Sequence, residues 1–151
     1  MRKVLADTLT CIAKERPIFR RSFALVAQLL GEYGEANLTE RLYQEIPKYV
    51  PWEVVADLFG IILWSAGDNG VALMRTAENW LRSGEDLRRI RMVLNLDVYP
   101  FMDPSVMERV LNKVAAQHPE VADRCRDLVE SRRQVGKDPA EPGAAADRPR
   151  E

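Results

Sequence analysis

The chain has 151 residues, 46% of them hydrophobic and 30% charged, with 22 basic and 23 acidic side chains. That length suits one domain, and a chain of this size buries roughly 68% of its extended surface, enough for a core without metal or disulfide. The net charge of −1 argues against the broad basic footprint of a nucleic-acid binder, and a mean hydropathy of −0.28 gives no support to a membrane protein.

In chain order the apolar periodicity is helical throughout. The first helix is predicted from about Lys3 to Lys14, with Leu5, Leu9 and Ile12 inward. Asp7, Lys14 and Glu15 interrupt it too often for a signal peptide, which places the protein in the cytoplasm. Pro17 opens a segment with Phe19, Phe23, Val26, Leu29 and Leu30 on one side, closed near Gly31 and Gly34. Asn37 and Glu40 form an Asn-x-x-Glu capping signal for a helix that Pro47 ends.

Pro51 opens the next helix, which ends at Gly67. Its apolar run, Val54 to Ala66, carries Asp57 and falls short of the ~20 residues of a membrane span. Asp68 or Asn69 caps a helix carrying Leu73, Ala77, Trp80 and Leu81. Ser83 and Asp86 bracket the start of one with Leu87, Ile90, Val93 and Leu94. Asp97 to Phe101 reads as a loop because of Pro100. Asp103-Pro104 and His118-Pro119 start the last two helices. Residues 136–151 hold three prolines and two glycines and no Leu, Ile or aromatic, and are predicted to form a disordered tail behind a single helical domain, 1–135.

The helix starts repeat. Pro17, Pro51, Glu85 and Pro119 are each 34 residues apart, and so are the intervening cap positions Glu35, Asn69 and Asp103. A fixed period of this size marks stacked helical hairpins, which would span Pro17–Val50, Pro51–Gly84 and Glu85–His118. Superposing the frames aligns Leu25, Phe59 and Val93 in the first helices, and Ile46, Trp80 and Val114 in the second. Arg41, Arg75 and Arg109 also align, suggesting a ladder of arginines and cap acids between repeats. Between about Pro17 and Arg133 the chain therefore resembles a HEAT-like repeat, with an aspartate at the inter-helix turn and an arginine early in the second helix. Asp103 and Arg109 match fully; Glu35 with Arg41 and Asn69 with Arg75 match with a substituted cap. The period is short for that family and its first-helix proline is missing. The tetratricopeptide family has the period, but its Trp-Leu-Gly-Tyr pattern is not found. The resemblance implies an all-α solenoid of stacked hairpins that binds proteins, sometimes nucleic acids.

Catalytic chemistry finds few parts. His118 is the single histidine and reads as part of a helix cap; no HExxH, Walker or dinucleotide fingerprint occurs. Gly67-Asp68-Asn69-Gly70 resembles a calcium-loop fragment without its further ligands, and is better read as a helix–helix turn. Cys11 and Cys125 are too few for a metal site, and Cys125 sits on an apolar face as a reduced thiol. No cofactor and no metal are expected, and the protein is read as non-enzymatic.

A contact surface is the stronger reading. Residues 51–105 hold eight acids against five bases, net −3, together with all three tryptophans, Trp52, Trp64 and Trp80. Trp80 aligns with core positions, and Trp52 is expected to be the more exposed. Aromatic rings beside acids suit an interface with a basic protein. The candidate partner-binding residues are Trp52, Glu53, Asp57, Trp64, Asp68, Asp97, Tyr99 and Phe101. The segments Trp64–Gly70 and Asp97–Phe101 resemble those of bacterial immunity proteins, which implies a toxin domain as partner. A regulatory adaptor is the alternative. Arg82, Arg88, Arg89 and Arg91 form a basic cluster that could touch phosphate, but it reads better as a solvated face beside Glu85 and Asp86.

Overall fold

A computed structural model describes residues 1–137, and among them the fold is all-α: eight α-helices, one 3₁₀ turn and no strand. The chain divides into two compact units, Met1–Pro100 and Phe101–Glu151. No helix among the described residues is long and apolar enough to cross a membrane.

The first unit contains α1 (Lys3–Glu15), α2 (Arg21–Tyr33), α3 (Leu38–Glu45), α4 (Trp52–Ser65), α5 (Val71–Ser83) and α6 (Leu87–Leu94). Helix α1 buries Val4, Leu5, Leu9 and Ile12 against α2 and α4. Its one fully buried hydroxyl, Thr8, donates to the Val4 carbonyl at 2.6 Å, which removes the cost of leaving it unpaired. Helix α2 begins at Arg21, four residues after Pro17, because its amides are capped from outside. The Glu15 carboxylate accepts from the backbone N–H groups of Arg20, Arg21 and Ser22 at 2.9–3.0 Å and from the Ser22 hydroxyl at 2.6 Å. This holds Glu15 far below the usual carboxylate range, at about 2, with the Ser22 hydroxyl the largest cause.

The capping signal before α3 does not form. Asn37 adopts the left-handed conformation (φ +50°) and its side chain caps nothing, while Glu40 reaches out to other helices. The expected caps form at Asp86 and Asp103, while the His118 side chain makes no cap hydrogen bond before the last helix. Asp86 accepts from the N–H groups of Arg88 and Arg89, and Asp103 from that of Ser105 at 2.8 Å.

Helix α4 is the centre of the unit. Eight of its fourteen residues are buried, and it packs against α1, α2, α5 and α6. Helix α3 packs on α5, and α5 on α6. Of the six apolar positions aligned by the repeat, Phe59, Val93, Ile46, Trp80 and Val114 are buried and Leu25 is half-buried.

The second unit is a hairpin of α7 (Pro104–Gln117) and α8 (Ala122–Lys137), joined through the 3₁₀ turn Pro119–Val121. Met107, Leu111 and Val114 meet Val121, Cys125, Leu128 and Val129 in its core, where burial pushes the Cys125 thiol up to about 11. Arg132 donates to the carbonyls of Phe101 and Met102, both at 2.7 Å, tying the end of the hairpin to its beginning. Helix α8 runs on through Lys137, so Gly136 and Lys137 of the predicted tail are helical; the remainder of that tail lies outside the described residues.

Candidate functional site

Spacing along α4 places Glu53, Asp57, Gly60 and Trp64 on one edge of the helix, the one its neighbours leave open. Trp64 is 69% exposed, whereas Trp52, the expected exposed ring, is half-buried. Asp57 is ion-paired with Arg16, from the segment between α1 and α2. Partial burial raises its carboxyl pKa, against the opposing pull of Arg16. Helix α4 ends in the turn 66–70, where Asp68 accepts from the N–H groups of Gly70 and Ala72, each at 2.9 Å. The Ala72 amide above all holds this carboxyl below its ordinary range. Asp68 is thus a helix-capping residue, the part that Gly67–Gly70 plays in place of an ion loop.

The same turn is tied to its neighbour. The Glu35 carboxylate, in the turn between α2 and α3, accepts from the Gly67 N–H at 3.2–3.3 Å. This contact joins two corresponding turns, but through a backbone amide rather than an arginine. Arg41 instead donates to the carbonyls of Tyr33, Gly34 and Ala36, closing the C-terminal end of α2.

The remaining predicted residues lie elsewhere. Asp97 is exposed and Tyr99 half-buried in the loop after α6. Phe101 belongs to the second unit, has a left-handed backbone (φ +64°) and is only 4% exposed. Its ring is core, because the loop turns it inward ahead of α7. Glu53, Asp57 and Trp64 thus share one edge of α4, spread from its first turn to its last, and Asp68 stands in the turn that follows.

Sequence reading missed a second cluster. The Arg89 guanidinium lies 4.6 Å over the Tyr43 ring and 4.8 Å over the Trp80 ring, and pairs with Glu40. The Trp80 indole N–H donates to Glu40 at 3.0 Å, and the Tyr43 hydroxyl to Asp86 at 2.8 Å. Burial, reinforced by Asp86, pushes Tyr43 up to about 12. Partial burial acts to raise the Asp86 carboxyl, but the Tyr43 hydroxyl and the α6 amides hold it low. Arg88 also turns inward, donating to the Val50 carbonyl at 2.7 Å. The solvated or phosphate-facing cluster expected at Arg88 and Arg89 is therefore an internal clamp joining α3, α5 and α6. Beside it opens a groove of about 840 Å³.

Protein-family models, curated proteins and solved structures give no match to this chain.

Proposed function

We propose that the chain is a non-catalytic protein-binding module of HEAT-like construction that neutralises a basic toxin domain by direct contact, as an immunity protein does. The observation that carries this reading is Trp64, a large ring 69% exposed in line with Glu53 and Asp57. An exposed tryptophan on the same helix edge as Glu53, with Asp57 already paired with Arg16, supplies apolar area to bury and a carboxylate to steer a cationic partner. The repeat construction is supported by contacts of α2 with α4, α4 with α6 and α3 with α5, and by starts of α3, α5 and α7 at residues 38, 71 and 104. Those starts equally favour the second reading, a regulatory adaptor. The nucleic-acid reading loses Arg88 and Arg89, whose guanidinium groups are engaged inside the fold.

The test is co-purification with the product of the neighbouring gene and protection of cells from it. Trp64→Ala is expected to weaken capture tenfold or more, about 1.4 kcal/mol, while thermal unfolding stays unchanged. Failure to protect against any toxin encoded next door removes the immunity reading. Recovery of partners unrelated to toxins would establish the adaptor.

A further inference from the structure

We propose that the corner joining α1 to α2 rests on an anionic phospholipid surface, with Lys14, Arg20 and Arg21 against the headgroups and Ile18 dipping between them. The proposal is independent of the α4 reading, since it invokes no partner protein.

The corner concentrates positive charge in a chain that is close to neutral. Residues 14–23 hold four bases and one acid, net +3, and still net +2 once Asp57 is set against its partner Arg16. Lys14, Arg20 and Arg21 are exposed, and among the described residues their side chains make no hydrogen bond or ion pair. The first amides of α2 do not serve as an anion site, because the Glu15 carboxylate fills them. The same bonds fasten the end of α1 to the start of α2, so the cations stand on a fixed backbone. Beside them are two apolar side chains that the fold leaves in water, Ile18 at 69% exposed and Phe23 at 44%. Side chains in the first turn of a helix lean towards its N-terminus, which carries Arg21 and Phe23 towards the corner. Cations around an exposed aliphatic tip supply the two attractions that hold a peripheral protein on anionic lipid, and neither needs a spanning helix. A nucleic acid is gripped instead through aromatic platforms for its bases, whereas Ile18, the more exposed of the two, is aliphatic.

The experiment is sedimentation of the full chain with sucrose-loaded vesicles at low and at physiological salt. One set is phosphatidylcholine alone; the other adds phosphatidylserine, roughly one part to two. Saturable binding to the phosphatidylserine vesicles is expected, weakening as salt rises. Arg20→Gln combined with Arg21→Gln should weaken it about tenfold or more, and Ile18→Ser about threefold or more. Ile18→Trp should strengthen it, because an indole settles at the membrane interface. All three positions are exposed, and Glu15 holds residues 20 and 21 by their backbone, so the fold survives these changes. Failure to sediment with phosphatidylserine vesicles at low salt overturns the proposal. So does equal binding to phosphatidylcholine alone, or indifference either to the paired glutamines or to both Ile18 substitutions. Capture by immobilised polyuridylate or polyglutamate without vesicle binding also overturns it, and makes the corner a contact for nucleic acid or for an acidic protein.

Discussion

Two side chains show how single residues hold the first unit. Glu15 ends α1 and caps α2, accepting four hydrogen bonds with one carboxylate. Its pKa in the fold, about 2, lies below the ordinary carboxylate value of 4.5. Folding therefore favours the ionised form; the stability it contributes is complete above the ordinary value and is lost as pH falls towards 2. Glu15→Gln should lower the unfolding midpoint at neutral pH and flatten its decline on acidification, which urea titrations at neutral and acidic pH would register. Arg89 is the second. Its removal deprives Glu40 of its ion pair and two rings of their stacked cation, so Arg89→Met should cost about 2–3 kcal/mol in urea unfolding. Arg89→Lys should recover only part of this, because an ammonium has no planar face to stack.

Among the elements, α4 carries most of the packing, and its ends are set by backbone geometry. Gly70 sits at φ +81° directly before α5, and a Cβ there would meet the Leu63 side chain and lie 3.0 Å from the Leu63 carbonyl oxygen. Gly70→Ala should cost about 2 kcal/mol, through the left-handed conformation and this contact. Gly31, within α2, faces open space, so Gly31→Ala should gain about 0.5–1 kcal/mol from helix propensity alone. Opposite signs in chemical denaturation check both. Helices were legible in the sequence because Pro51, Asp86, Asp103 and Gly70 act within a few residues of where they stand. The start of α2 was not, because its cap comes from the preceding helix. Asn37 and Glu40 show the reverse failure: a local signal overridden when Glu40 finds Trp80 and Arg89, 40 and 49 residues away.

For the molecule as a whole, the net charge of −1 averages over an acidic stretch, residues 51–105 at −3 (eight acids, five bases). If the partner is basic, its association rate should fall as salt rises from well below to well above 0.15 M, where the screening length is about 8 Å. Dissociation should change less; stopped-flow or surface-based kinetics would separate the two. The sequence by itself determined the all-helical class, most of the caps and the Glu53–Asp57–Trp64 edge of α4. Each of these follows from spacing along one helix or across one turn. Only the tertiary structure decided that Trp64 rather than Trp52 is the exposed ring and that Phe101 is core. It also turned Arg88 and Arg89 inward, against Val50 and Glu40, and opened the groove beside Tyr43 and Trp80. Those outcomes depend on which distant helix covers a side chain, and a repeat period says where helices begin without saying which rings and charges they bring together.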